Sequence, residues 1–561
     1  MSSSTNVHVT PPHNGTEEVS LINRFIDEPR PLRVAVIGGG LSGILAGILL
    51  PAKVPGLALT IYEKNDDFGG TWLENVYPGV RCDTTAHAYQ ATFSHNSDWS
   101  EAFPPGAEIR EYWQSVARKY DVHQYTKFKH RVEAASWDAN QGKWMLKILN
   151  TDTNDTLSED FDFVITCIGK FNSWKLPDYP GIAEYKGLLR HTSNWDPSFD
   201  PRGKRVAVIG NGASGVQVVP SLQKTAGHLD HYARSATWAG SPSAHYDKFI
   251  EVRKDVEDRT WRGYRSVLRG SEENQNLRGR FIGFMRERLA KKPKLLDNFI
   301  PSFPPGCRRV TPAPGYLEAV AEDNVTYIRT PIKRFTATGI ETQDGVHREV
   351  DAIFCATGFK TTVASQFSIM ANGQNLYDVW KPDSEAGFPY TYIGLATPGF
   401  PNLLFIHGPQ SYTPSGTLPY ALENQLTYAA KLLRKASREG IKSMDPSSRA
   451  ADDFAAYSDA FFKKTVLTDG CSSSHNGERP GGRIYGFWPG SAMHLAIIRR
   501  EPRWEDWNYQ YLSESGNRFL WYFGNGFSRK EEDPDADMTQ YLQTGAKTDF
   551  RDIHESWWKI P

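Results

Sequence analysis

The most constraining feature of the sequence is a glycine-rich turn that occurs twice, each time between a predicted strand and a predicted helix. The first copy follows the strand 32–37, and the second follows the strand 205–209. The residues of the two copies are Gly38, Gly40 and Gly43, and Gly210, Gly212, Ser214 and Gly215. This Gly-x-Gly-x-x-Gly pattern is typical of a βαβ unit that binds a pyrophosphate at a helix N-terminus. The sequence therefore predicts an α/β fold with two dinucleotide-binding, Rossmann-like domains.

The end of the second strand in each unit predicts which dinucleotide binds there. Glu63 follows the strand 57–62, where a carboxylate accepts hydrogen bonds from ribose hydroxyls and repels a 2′-phosphate. The first unit is therefore predicted to bind FAD or NAD. Arg234 stands at the matching place in the second unit, and a guanidinium there favours the 2′-phosphate of NADP. The alternative interpretations are a solvated glutamate and a surface arginine.

Two further segments resemble the fingerprints of the Baeyer–Villiger monooxygenases. Residues 69–83 contain a glycine pair, a tryptophan, a Tyr-Pro-Gly turn and an aspartate, as the first fingerprint does. The second fingerprint is matched by Tyr185, Gly187, His191, Trp195 and Asp196, with Tyr185 in place of the usual Phe. In the related monooxygenases that oxidise nitrogen and sulfur the last aromatic is usually Tyr or Phe. Trp195 therefore favours the ketone-oxidising branch.

The resemblance covers roughly residues 30–530 and implies a domain arrangement. An NADP-binding domain would be inserted into a discontinuous FAD-binding domain. The expected boundaries are an N-terminal arm at 1–30, the first part of the FAD domain at 31–180, the NADP domain at 181–345 with a largely solvated helical insertion at about 245–300, and the second part of the FAD domain with the C-terminal segment at 346–561.

The resemblance also implies the catalytic and cofactor-binding residues. Arg309 falls on the active-site arginine beside the flavin, and Arg308 replaces a lysine that helps to bind the 2′-phosphate of NADPH. Asp83 is expected to pair with Arg309 and to orient it. His191 is expected to organise a linker. The other expected flavin-binding residues are Gly70, Thr71, Trp72 and Tyr89. Without the fingerprints, a surface basic pair would be the preferred interpretation of Arg308 and Arg309.

The implied reaction uses FAD, NADPH and molecular oxygen to convert a ketone into an ester or lactone through a flavin peroxide. The alternatives are an N- or S-monooxygenase, a flavin NADPH oxidase that releases peroxide, and a non-catalytic NADPH-binding flavoprotein. Two C-terminal segments have weaker parallels in the family. Residues 407–409 resemble the segment that returns to the flavin ring, and residues 488–491 resemble a mobile loop over NADP.

Composition narrows the remaining possibilities. The net charge of −1 gives no nucleic-acid footprint. The five cysteines are widely spaced without a Cys-x-x-Cys pair, which predicts neither a disulfide framework nor a metal site and favours a reducing compartment. No secretory leader or transmembrane segment is evident, so we expect a cytoplasmic enzyme, with a monomer favoured. The aromatic run 519–523 is expected to be a strand.

Overall fold

The computed structural model describes residues 20–239, 260, 262–312, 314–360, 367–513 and 517–539. The larger of two compact units comprises Pro31–Arg434 and Ser443–Tyr509, and the smaller comprises Met1–Arg30, Lys435–Lys442 and Gln510–Pro561. The described α-helices are Leu41–Lys53, Thr71–Glu74, Gly106–Lys119, Ala213–Gln223, Glu272–Arg288, Leu296–Phe299, Tyr316–Val320, Leu376–Trp380, Leu418–Glu439, Ser448–Phe462, Ala492–Ile498 and Phe519–Phe523.

The first sheet has five parallel strands and contains the first glycine motif. In spatial order its strands are Leu403–Phe405, Phe163–Thr166, Leu32–Ile37, Leu57–Tyr62 and Thr126–Lys127. The central strands are apolar runs that are almost wholly buried, as expected where helices and a further sheet cover both faces of a parallel sheet. The predicted strand–turn–helix–strand from Leu32 to Tyr62 is confirmed.

The second sheet repeats this design. Its five parallel strands, in spatial order, are Val325–Ile328, His228–Tyr232, Arg205–Ile209, Ala352–Cys355 and Leu188–His191. The predicted strand, glycine turn and helix around residue 210 are therefore confirmed. The strand Ala352–Cys355, which lies beyond the expected domain boundary at residue 345, pairs with Arg205–Ile209 in this sheet.

The remaining strands are mostly antiparallel. A mixed sheet contains Gln374–Asn375, Ser368–Ala371, His130–Asp138, Lys143–Asn150 and Thr156–Phe161, and a smaller sheet contains Ile332–Phe335, Gly339–Thr342 and His347–Glu349; two further strands are Ile441–Pro446 and Trp507–Tyr511. The predicted hairpin is confirmed by the pairing of Trp137 with Trp144 and by the 2.8 Å bond from the Gly142 amide to the Asp138 carbonyl.

The prediction of a largely solvated helical insertion is confirmed for its described part, and one prediction about an aromatic segment needs correction. The insertion contains the helix Glu272–Arg288, most of whose residues are exposed, while Phe281 and Met285 anchor it in the core of the second sheet. Its residues 245–259 lie outside the described residues, as do residues 1–19 of the arm. The run Phe519–Phe523 forms a helix, so the predicted strand is wrong. Its rings at positions i and i+4 stack 5.1 Å apart, a contact that helical spacing creates.

The expectation that the cysteines form no disulfide is also wrong. Cys307 and Cys471 are bonded, with their Cα atoms 6.1 Å apart across a sequence separation of 164 residues. Cys82, Cys167 and Cys355 are free and buried. Because a disulfide is present, the spacing of the cysteines no longer supports a reducing compartment. Within the described ranges, no helix is both long enough and apolar enough to cross a membrane.

Candidate active site and cofactor clefts

A cleft opens at the carboxyl end of the first sheet, beside the first glycine motif. A Cβ atom on Gly43 would lie 2.0 Å from the Gly38 carbonyl oxygen, so the third glycine lets the helix pack against the turn. A Cβ atom on Gly40 would meet nothing closer than the Gly70 Cα at 3.6 Å, so the second glycine borders open space. The predicted residues that line this cleft are Gly38, Gly40, Glu63, Gly70, Thr71, Trp72 and Tyr89.

Glu63 is held at the floor of this first cleft. Its carboxylate accepts hydrogen bonds from the backbone amides of Gly39 at 2.6 Å and Asn65 at 2.8 Å, and the residue is only 4% exposed. Burial raises the pKa of Glu63, and the two amide donors oppose that rise. A carboxylate is thus presented beside the glycine turn, as nucleotide ribose recognition requires.

A larger cavity of about 880 Å³ lies beside the second glycine motif. Among its lining residues are Gly210, Gly212, Arg234 and Arg308. Arg308 donates a hydrogen bond to the Ser235 hydroxyl at 3.2 Å. Burial and then the charge of Arg234 lower the pKa of Arg308, so the two guanidiniums lie close enough to repel each other. Two neighbouring guanidiniums can bind a doubly charged anion such as a phosphate.

Arg309 and Asp83 form an ion pair, as the resemblance implied. Nη2 of Arg309 lies 2.6 Å from Oδ1 of Asp83, and the side chains are 45% and 20% exposed. Asp83 raises the pKa of Arg309, so this guanidinium is permanently charged. Neither residue lines the first cleft, but the charge of Arg309 acts on Tyr89 and His407, which do.

The arginine pair therefore spans two sites. Arg308 lines the second cavity, whereas Arg309, the next residue, lies beside the first cleft. Cys307 precedes them and is tied to Cys471 by the disulfide. Adjacent residues of one anchored segment thus contribute a cation to each cofactor region.

Comparison with known proteins identifies the family. The model for flavin-binding monooxygenase-like proteins matches residues 31–247. The FAD-binding monooxygenase tazF of Aspergillus terreus is 34% identical over 543 residues, which cover 92% of this chain and 95% of that protein. The chain belongs to the flavin-binding monooxygenases.

Further similarities place this monooxygenase in the Baeyer–Villiger-like class. A Baeyer–Villiger monooxygenase of Pseudomonas aeruginosa is 30% identical over 496 residues, covering 84% of this chain and 90% of that protein. A crystal structure of OTEMO in complex with FAD and NADP superimposes with a TM-score of 0.74 at 25% identity, covering 86% of this chain and all of that one. The predicted cofactors, FAD and NADPH, and the predicted fold of two Rossmann-type domains are confirmed.

The first fingerprint of the monooxygenase connects its two glycine units. The Tyr77 hydroxyl donates to the Gln217 side chain at 2.8 Å, and Gln217 donates to the Arg81 carbonyl at 3.0 Å. A Cβ atom on Gly79 would lie 2.3 Å from the Gln217 carbonyl oxygen, so only glycine permits this approach. Ser214, on the same helix, is close enough to Tyr77 to hydrogen-bond to it but is not among the residues that line the cavity.

Trp195 of the second fingerprint packs against the strand Ala352–Cys355 of the second sheet. Trp195 stacks on Phe354 with ring centroids 4.4 Å apart. His191 is 1% exposed; its Nδ1 accepts from the Ser193 amide at 3.1 Å, so its Nε2 donates to the Gly358 carbonyl at 3.1 Å. Burial lowers its pKa to about 4. A neutral imidazole with a hydrogen bond at each ring nitrogen is consistent with the organising role predicted for His191.

The two C-terminal segments take different positions. His407 lines the first cleft, in agreement with a segment that returns to this region. Trp488 is buried; its amide donates to the Tyr412 carbonyl at 2.8 Å and its indole to His494 at 3.0 Å. Trp488 is not among the residues that line the second cavity, and the resemblance of residues 488–491 to a mobile loop over NADP stays a prediction.

Sequence analysis missed a group of basic residues around Arg309. Lys170 lines the first cleft, and burial followed by the charge of Arg309 lowers its pKa to about 7. His475 is buried, and its pKa is lowered well below the usual value by burial and then by Lys170 and Arg309. The one available signal was a lysine directly after the Gly169 that ends a buried apolar strand, a place where a charge is costly.

Proposed function

We propose that this monooxygenase converts a ketone into an ester or lactone. The observation that carries the proposal is the Arg309–Asp83 ion pair, with a 2.6 Å contact, beside the cleft of the first glycine motif. A guanidinium there can stabilise the negative charge that develops on the oxygen of a ketone substrate during the reaction. Nitrogen or sulfur oxidation builds no oxyanion on the substrate, so it gives such a cation no comparable task.

The cofactor positions in this proposal follow the two cavities. FAD would be held by the glycine turn, Glu63 and residues 69–72, and NADPH by the second turn with Arg234 and Arg308. The first cleft fits a flavin dinucleotide because Gly40 and Gly70 leave no side chain between the backbone and a ligand. When bound, FAD would be reduced by NADPH and would then activate molecular oxygen.

Arg309 acts on the substrate side of the reaction. Attack on a ketone carbonyl places negative charge on its oxygen, and a preorganised cation stabilises that charge without reorganising. Asp83 holds the guanidinium in one orientation through its 2.6 Å contact. Because the pair is partly exposed, its value lies in orientation more than in stability.

The test is the variant Arg309→Met, with Arg309→Lys as the variant that keeps the charge. We expect NADPH to reduce the flavin of Arg309→Met at close to the normal rate, while ester formation falls by about 10²- to 10³-fold and NADPH oxidation yields hydrogen peroxide. Arg309→Lys should retain part of the ester yield. Stopped-flow flavin absorbance and product mass spectrometry measure the two steps.

Full ester yield from Arg309→Met would refute the role of Arg309. Efficient sulfoxide or N-oxide formation by the normal enzyme, with no ester from cyclic, linear or steroid-like ketones, would refute the proposed reaction in favour of heteroatom oxidation. A colourless protein that binds no FAD would refute both.

A further inference from the structure

Lys170 is a partly buried cation in the first cleft. Its ammonium donates one hydrogen bond, to the Gly486 carbonyl at 3.2 Å, and lies over the Tyr412 ring at 4.6 Å. Within the part of the chain that the structure describes, no carboxylate forms an ion pair with it. An ammonium has three donors, and burying it without an anionic partner is costly. The proposed role of Arg309 does not use this residue.

Arg499 is a more deeply buried cation of the same fold and provides a comparison. Its guanidinium is 2% exposed and donates to three carbonyls, those of Ser411 at 2.8 Å, Ile393 at 3.1 Å and Gln410 at 3.5 Å. Arg499 thus binds backbone carbonyls and lines none of the described cavities. Lys170 differs on both counts, since it has one carbonyl partner and it lines the cleft.

The charged group that acts on Lys170 is another cation, Arg309. Arg309 acts on Lys170, and Lys170 and Arg309 together act on His407 and His475. The nearby carboxylate of Asp83 is already bound to Arg309. Both histidines have depressed pKa values and are neutral near pH 7. The pKa of Lys170 is lowered to about 7, and its ammonium form has no carboxylate partner among the described residues, so an anion that binds beside it would stabilise that form.

We propose that Lys170 binds a carboxylate of the substrate, so that the ketone oxidised by this enzyme carries an acidic group. The inference rests on the proposed function and names the substrate class of the same site. The ketone carbonyl would lie toward Arg309 and the carboxylate toward Lys170, with the aromatic ring of Tyr412 beside the carbon chain. A carboxylate would supply the anionic partner that the protein itself withholds from the ammonium.

The experiment compares keto acids of increasing chain length with their methyl esters. Dissociation constants for the oxidised, FAD-loaded enzyme are taken from the change in flavin absorbance on binding, and kcat/KM is measured in parallel. Three variants are compared with the normal enzyme: Lys170→Met, Lys170→Arg and the surface change Lys147→Met, whose side chain is 56% exposed. Lys147→Met makes the same substitution away from the cleft.

We expect the normal enzyme to bind the best keto acid more tightly than its ester. Lys170→Met should weaken binding of the acid by about 30- to 100-fold, as loss of a charge-assisted bond predicts, and change ester binding by less than about threefold. Lys170→Arg should retain most of the preference for the acid, and Lys147→Met all of it. No preference for acids across the series, or equal weakening of acid and ester in Lys170→Met, would overturn the inference.

A saturated carboxylic acid without a ketone separates this inference from the proposed function. If that acid binds the oxidised enzyme and Lys170→Met abolishes the binding, the acid site stands even where no ester is ever formed. If neutral ketones are converted to esters and no carboxylate binds, the proposed function stands and the acid site fails.

Discussion

The pair Arg234 and Arg308 should determine the preference for NADPH over NADH. Arg308 is partly buried and its pKa is lowered by burial, so its bond to a phosphate is weakly screened; Arg234 is exposed. A hydrogen bond to a charged group contributes about 1.5–3 kcal/mol when shielded from water, and an exposed ion pair contributes about 1 kcal/mol or less. We therefore expect Arg308→Gln to raise KM for NADPH about 30-fold and Arg234→Gln about fivefold.

The assay is steady-state NADPH and NADH oxidation by each variant at low and at high salt. NADH lacks the 2′-phosphate, so its KM should change by less than about twofold in both variants. High salt should shrink the effect of Arg234→Gln more than that of Arg308→Gln, because exposed charges are screened more strongly. Arg483→Gln is the matched control: Arg483 lines the same cavity, but its guanidinium is bound to Asp459 at 2.7 Å.

Equal losses for NADPH and NADH in Arg308→Gln would refute this reasoning, since they would show that the arginine supports the fold or the shared part of the nucleotide. A larger NADPH-specific loss in Arg483→Gln than in Arg308→Gln would also refute it. In that case the phosphate would lie at the other end of the cavity.

Two further predictions concern stability. Breaking the Cys307–Cys471 bond, which closes a loop of 164 residues, should lower the free energy of unfolding by about 2–5 kcal/mol. Dithiothreitol should therefore lower the thermal midpoint of the normal protein but not that of Cys471→Ser. An equal effect on both proteins would contradict the prediction. Burial lowers the pKa of His231 to about 4, so the stability it contributes is present above its unfolded pKa near 6.5 and is lost as pH falls from 6.5 toward 4, by about 3 kcal/mol. The thermal midpoint of His231→Gln should consequently fall less steeply over that range, and parallel curves for the two proteins would contradict this.

The parts of the fold that were predictable are those governed by contacts close in sequence. The strand, glycine turn and helix at residue 32 and at residue 205 were predicted nearly residue by residue, because each turn and its flanking strand form one local unit. The run Phe519–Phe523 was predicted wrongly for the complementary reason. Five consecutive aromatic or aliphatic residues show neither the period of a strand nor that of a helix, so the contacts of the folded chain decide.

The site divides in the same way. Arg309 and Asp83 are 226 residues apart, and only the resemblance to a family brought them together before the structure did. No spacing in the sequence reveals that Cys307 lies near Cys471, or that Lys170 lies near Tyr412. Counting cysteines is informative where loops are short and the core is small, and it fails here because a large fold brings distant segments together.

The segment 306–309 shows why the two cofactor regions should not be considered separately. Cys307 is bonded to Cys471, Arg308 lines the second cavity, and Arg309 is bound to Asp83 beside the first cleft. A displacement of this backbone that moved one arginine would move the other, because one peptide unit joins them. The loop after Cys471 also carries His475, whose pKa is affected by Arg309, so the disulfide holds together two segments that lie near the same guanidinium. The anchoring of one short segment can therefore couple occupancy of the phosphate site to the orientation of the cation proposed for catalysis.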